Sequence, residues 1–364
     1  MKFIVIAALF LTPVGASSAE YMAGIEVDSS SNILMRTGGP SGTMLSVYGT
    51  AALKSGKAQV SYDVDGGVID RYDGVQYHYH AFNASFALLA RKTALLEALA
   101  EYDIVRYGEI SILTGYNQYG GGARFKSYLT RSTLLRSEVK AENRSYRTFV
   151  SENFTGTEGF LRMDRFFDSG TTLRGQIDAG IRRYSDEPLL RKTSLFGFRV
   201  RVAQALGMNW GIWFEIRSST CNHENDSDTI RTDTPQIYAP PDSTDLGAAA
   251  AEIDRIFLDD RYKYSSYAFQ FQTKYMIGGS GQIRFDTSIT EKKYKGSLTS
   301  TYWYLPPEGW DEVELNLMLT LSYRASFIPE KVHPAIDIYH VNVDATESYL
   351  SYESTGVTLR FDLY

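Results

Sequence analysis

Residues 313–324 alternate with a period of two. Val313, Leu315, Leu317, Leu319, Leu321 and Tyr323 fall on one side, and Glu314, Asn316, Met318, Thr320, Ser322 and Arg324 on the other. A helix would scatter these apolar residues around its circumference, whereas a strand collects them on one face. The pattern recurs. Phe196, Phe198, Val200 and Val202 alternate with Gly197, Arg199 and Arg201; Ile212, Phe214 and Ile216 with Trp213, Glu215 and Arg217. Tyr267, Phe269, Phe271 and Tyr275 alternate with Gln270, Gln272 and Lys274; Ile283, Phe285 and Ile289 with Arg284, Asp286 and Ser288; Leu173, Ile177, Ala179 and Ile181 with Arg174, Gln176, Asp178 and Arg182. In 134–144 the polar phase is fully charged, Arg136, Glu138, Lys140, Glu142 and Arg144, against Leu135, Val139 and Ala141. Such a chain is all-β, and its sheet has one face that must be kept from water.

The strands are long and regularly spaced. Short connections fall near Lys54–Gly56, Arg91–Thr93, Arg131–Thr133, Asp168–Thr171 and Leu206–Asn209, and the following strands start near Lys57, Leu95, Leu134, Thr172 and Trp210, which are 38, 39, 38 and 38 residues apart. Longer polar connections are expected at Arg147–Thr157 and Ser185–Lys192, and a far longer one at Ser218–Asp260. A period near 40 also suits a propeller blade. A blade needs four short strands per period, however, and each period here holds two of about 9–13 residues, the length a tilted strand needs to cross a bilayer. Residues 92–102 have helical propensity, but the spacing makes them a strand with Leu96, Ala98, Ala100 and Tyr102 outward.

With no second sheet or helical layer to cover the apolar face, lipid is the remaining cover. Lipid then requires closure, so that every backbone N–H and C=O is paired. The expected fold is a single closed antiparallel transmembrane β-barrel with short periplasmic turns and longer extracellular loops. Weak segments near Tyr21–Asp28 and Ile336–Asp344 bring the strand count from 14 to 16.

At the C-terminus Val357, Leu359, Phe361 and Leu363 alternate with Thr358, Arg360 and Asp362, and the chain ends at Tyr364, in phase with the polar residues. A final amphipathic strand ending in an aromatic resembles the pattern that bacterial outer-membrane β-barrels, the porin-like class, present to their assembly machinery. The resemblance implies a Gram-negative-type outer-membrane location, with lipid and that machinery as partners.

The N-terminus reads as an export signal. Lys2 precedes the apolar run Phe3–Leu11, which is too short to span a membrane as a helix; Pro13 and Gly15 break it, and Ser17 and Ala19 provide small residues for cleavage before Glu20. Residues 1–19 are thus expected to be a signal peptide and 20–364 one barrel domain. A net charge of −6 gives no footprint for nucleic acid. The single cysteine, Cys221, excludes an internal disulfide and reads as structural or incidental.

Function is less constrained. At 14–16 strands the interior exceeds what side chains alone fill. Its candidate lining is Arg136, Glu138, Lys140, Glu142, Arg144, Arg174, Asp178, Arg182, Arg199, Arg201, Glu215, Arg217, Arg284, Asp286, Glu314, Arg324, Arg360 and Asp362. Charges in a water-filled bore set ion selectivity, and the same charges also pair across strands to brace a wall. The leading expectation is a channel for small hydrophilic solutes or ions. The alternatives are a non-conducting structural or surface-binding barrel, and an outer-membrane hydrolase.

Residues 219–260 read first as a mobile polar loop, with an inward constriction or a projecting binding surface as the functional alternatives. Asn222, His223, Glu224, Asn225, Asp226, Asp228 and Asp233 provide oxygens that suit Ca²⁺, the one cofactor that enters the expectation. Asp63-Val-Asp65-Gly66 lacks full calcium-loop spacing and reads as a turn. His78 and His80 share a strand face without an evident third zinc ligand. His80, Asn83 and Ser85 hold the residue types of a hydrolase, yet His80 and Asn83 fall on opposite faces and no catalytic spacing emerges.

Overall fold

The structure, a computed structural model, describes residues 18–31, 41–69, 76–107, 115–147, 153–185, 191–225, 263–278, 281–295, 310–323, 332–345 and 351–363. These residues form sixteen strands: β1 (Ser18–Ser30), β2 (Gly42–Ser55), β3 (Ala58–Ile69), β4 (Gln76–Arg91), β5 (Ala94–Tyr107), β6 (Tyr116–Thr130), β7 (Thr133–Tyr146), β8 (Phe154–Phe166), β9 (Thr171–Tyr184), β10 (Arg191–Ala205), β11 (Trp210–Asn225), β12 (Lys263–Ile277), β13 (Gly281–Lys295), β14 (Trp310–Tyr323), β15 (Val332–Ala345) and β16 (Tyr352–Leu363). Each pairs antiparallel with its sequence neighbours, and β1 pairs with β16 to close the barrel. The higher count holds, because both weak segments, β1 and β15, are full strands.

The strands run from 12 to 16 residues, longer than expected and longer than the hydrocarbon layer needs. The excess extends the wall past the membrane boundary. Short turns lie at one end with the start of β1 and the end of β16. At the turn between β2 and β3, Gly56 takes φ +56°, a left-handed conformation that tight hairpins favour and that side chains with a Cβ resist.

Three sequence expectations are corrected. The segment 219–225 is strand, paired from Ser219↔Gly197 to Asn225↔Arg191, so the long connection begins after Asn225. The cross-strand partners on β10 and the continued alternation of Ser219 and Cys221 with Thr220 outweigh the polar composition that suggested a loop. The connection expected at Arg147–Thr157 is shorter, because β8 starts at Phe154 and Thr157 already pairs with Ala141. Asp63-Val-Asp65-Gly66 is not a turn. It lies within β3, with Asp63 opposite Ala81 and Asp65 opposite Tyr79.

The two faces of the wall differ in the way that closure demands. Phe196, Phe198, Phe214, Ile216, Tyr267 and Phe269 stand 41–59% exposed on the convex side. The opposite, concave side carries the charged phase and contains residues with almost no exposure, including Asp164 and Glu215 at 1%. Exposed apolar surface on this scale does not suit water, and lipid is its natural solvent.

Candidate functional site

The concave face is the candidate site. The strand phase puts Arg136, Glu138, Lys140, Glu142 and Arg144 there on β7, Arg174, Asp178 and Arg182 on β9, and Arg199 and Arg201 on β10. Glu215 and Arg217 follow on β11, Arg284 and Asp286 on β13, Glu314 on β14, and Arg360 and Asp362 on β16. Arg324, and residues 226–262 with Asp226, Asp228 and Asp233, lie outside the described residues.

Charge on this face is unevenly distributed. On β1–β5 it carries Glu20, Glu26, Asp28, Asp63, Asp65, Glu97, Glu101 and Asp103, with Lys54 at the turn end of β2. On β6–β11 it carries Arg124, Lys126, Arg136, Lys140, Arg144, Arg162, Arg174, Arg182, Arg199, Arg201 and Arg217, with Glu138, Glu142, Glu158, Asp164, Asp178 and Glu215 among them. One arc of the wall is acidic, and another is predominantly basic.

The pairing is local. Arg124 Nε meets Glu138 at 2.7 Å and Arg199 Nη2 meets Asp178 at 3.1 Å, in both cases between adjacent strands. Lys140 Nζ reaches Glu101 at 2.6 Å across β6, where Gly120 leaves the space; a Cβ there would stand 2.9 Å from Glu101 Oε1. Among the described residues every inward ion pair joins groups on the same strand or on strands one or two apart. The ladders therefore run along the wall and do not bridge the bore. A cavity of about 470 Å³ lies on this face, bordered by Lys140, Glu158, Asp178, Arg199, Arg217 and Gln270 among others.

Several participants escaped the sequence reading. Arg162 and Asp164 sit on β8, whose inward phase also holds Phe154, Phe160 and Phe166, so its alternation is blurred. Near the loop end, Arg144 lies 4.6 Å from the Tyr116 ring and 5.1 Å from Phe154, and Arg182 lies 4.9 Å from Phe154. These cation–π contacts brace four neighbouring strands, β6 to β9. Trp213 faces inward, with the Arg201 guanidinium 4.1 Å over its ring.

The hydrolase constellation does not assemble. His80 points outward with His78, and its Nδ1 lies 2.7 Å from Tyr62 Oη, whereas Asn83 points inward and donates to Asp63 at 3.2 Å. Ser85 shares the phase of Asn83. Cys221 is buried on the inward side of β11.

No family model and no curated protein matches the chain. Solved structures do match. The outer membrane protein OprD from Pseudomonas aeruginosa aligns with a TM-score of 0.52 at 8% identity, over 97% of this chain and 95% of that one. Pseudomonas aeruginosa OccD3 (OpdP) aligns at 0.50 and 9% identity, over 96% and 92%. A bacterial polysaccharide outer membrane secretin aligns at 0.50 and 6% identity, over 94% and 97%. At these identities the likeness is one of architecture: the chain has the closed-barrel fold of outer-membrane proteins of the OprD type.

Proposed function

We propose that the protein sits in a Gram-negative-type outer membrane and passes small hydrophilic solutes or ions through its bore. The observation that carries this reading is the course of the inward ion pairs, which follow the wall and leave the axis unbridged among the described residues. A barrel braced as a solid plug would connect opposing walls. An acidic arc and a predominantly basic arc also create a transverse field, which orients dipolar solutes and discriminates between ions. The fold shared with OprD-type proteins supports the same reading.

We further propose that residues 1–19 are removed on export. Of β1, this removes Ser18 and Ala19, which pair with Lys54 and Leu53, while the β1–β16 register begins at Ala23 and is untouched.

Single-channel recording of purified, folded protein in a planar bilayer tests the proposal. Stepwise conductance with an ion preference is expected, and its consistent absence from folded protein would overturn the reading.

A further inference from the structure

The inward phase of β10 holds a glycine where its neighbours hold side chains. Gly197 stands opposite Asp178 of β9 and Ser219 of β11. Its backbone lies outside the left-handed region, and a Cβ there would meet Asp178 Cβ at 3.4 Å, an ordinary contact. Neither conformation nor crowding asks for glycine at this position. The missing side chain instead keeps open the cavity of about 470 Å³ in the inner wall. That volume lies within the range of small-molecule sites, roughly 300–1,000 Å³.

The charges around this hollow balance and are largely engaged. Glu138, Glu158 and Asp178 line it together with Lys140, Arg199 and Arg217. Arg199 Nη2 donates to Asp178 at 3.1 Å, and Glu138 accepts from Arg124 Nε at 2.7 Å. Lys140 Nζ lies 2.6 Å from Glu101, and Arg217 Nε donates to Glu215. Among the described ion pairs and hydrogen bonds Glu158 alone of the six takes no part. An incoming ion would therefore compete with an internal partner at each of the others. Neutral hydrogen-bonding capacity remains. Ser219 Oγ and Ser266 Oγ lie 2.6 Å apart, and each keeps a lone pair free of that bond. Gln270 accepts from Arg217 Nη2 through Oε1 at 3.1 Å, and its N–H₂ has no partner among the described residues. Phe160 and Leu195 add apolar surface to the same lining.

We propose that this hollow is a subsite for a neutral polyhydroxylated solute, a mono- or disaccharide. The inference deepens the channel reading and rests on the bore being the solute path. Each hydroxyl of a pyranose both donates and accepts, which suits the mixed donors and acceptors of Ser219, Ser266, Gln270 and Glu158. Its C–H face suits Phe160 and Leu195, and its lack of charge suits a lining whose own charges already have partners. Pockets of this type combine an apolar surface with a few placed polar groups.

Cellobiose is the probe, titrated calorimetrically into the folded full-length barrel in a detergent without a sugar headgroup. Wild type should bind it saturably, and L-glutamine and inorganic phosphate should give no saturable heat at the same concentrations. Half-saturation should stay unchanged as salt rises from about 0.05 to about 0.5 M, a range over which ion binding weakens. Gly197→Leu fills the hollow and should abolish binding. Phe160→Ala should raise the half-saturating concentration about fivefold, and it decides the matter if Gly197→Leu does not fold. Asn316→Ala, an inward change on β14 away from the cavity lining, should bind as wild type does. Absence of saturable cellobiose binding, equal binding of L-glutamine or phosphate, a strong salt dependence, or unaltered binding by folded Gly197→Leu or Phe160→Ala would each overturn the proposal. The titration needs no ion flow, so failure of the saccharide subsite and failure of conduction are read separately.

Discussion

Tyr48 of β2 donates to Asp362 of β16 across the full width of β1, passing over the backbone of Gly24. A Cβ at Gly24 would stand 2.2 Å from Tyr48 Cζ. The opposite crossing mirrors it. Tyr339 of β15 leans over Gly356 of β16, where a Cβ would stand 2.5 Å from its ring, and its hydroxyl lies 3.0 Å from Asp28 Oδ2 on β1. Thr358 also donates to Asp28, at 3.0 Å. Two tyrosines thus clasp the seam at which the two ends of the chain meet. Gly24→Ala and Gly356→Ala should each displace a ring and destabilise the barrel, by about 1–3 kcal/mol for overpacking of this kind. Gly175→Ala has open space and is the control. Heat-modifiable gel mobility checks this: both seam variants should unfold at lower temperature than wild type, and Gly175→Ala should not.

Replacing Arg199 and Arg201 by Glu removes two of the cations that make the β6–β11 arc predominantly basic. The reversal potential in a salt gradient should move toward cation preference in the double variant, provided that the heat-modifiable band shows it folded. An unchanged potential removes both residues from the ion path.

The convex face faces hydrocarbon, so Phe198→Arg should cost about 2–4 kcal/mol if the position lies near the bilayer midplane. Phe198 is 45% exposed, a degree that would make the substitution mild if water covered this face. Folding yield into lipid vesicles is the readout, and a yield equal to wild type would place Phe198 away from lipid.

Export processing should leave Glu20 as the first residue of protein recovered from outer-membrane fractions, because Ser17 and Ala19 supply the small residues that the cleaving peptidase requires. Intact-mass measurement checks this directly.

The barrel was legible because lipid on one side and water on the other impose strict alternation. Strands such as β10 and β14 declare themselves for that reason, and the tight turns between them set the 38-residue spacing. β1 and β15 were weak because their inward phases mix polar and apolar residues: Met22 and Gly24 with Glu26 and Asp28, and Ala335 and Val343 with Asp337. The inward phase of the charged residues was legible too. What sequence alone does not reveal is depth. Asp164 and Asp178 are both inward carboxylates near arginines, yet one is 1% and the other 33% exposed. That difference arises from lateral packing between strands whose register only the folded wall supplies. The seam tyrosines were hidden for the same reason, since Tyr48 and Asp362 lie 314 positions apart.

The central claim is that odd and even positions along one strand meet different solvents. Single cysteines placed from Phe196 to Val202 of β10 in a Cys221→Ser background, carrying a fluorophore and reconstituted in vesicles, test it most directly. Quenching by lipid-borne nitroxide should be strong at 196, 198, 200 and 202, while quenching by aqueous iodide should dominate at 197, 199 and 201. Uniform quenching along the strand, or the reverse alternation, would contradict a barrel with lipid outside and a water-filled bore within.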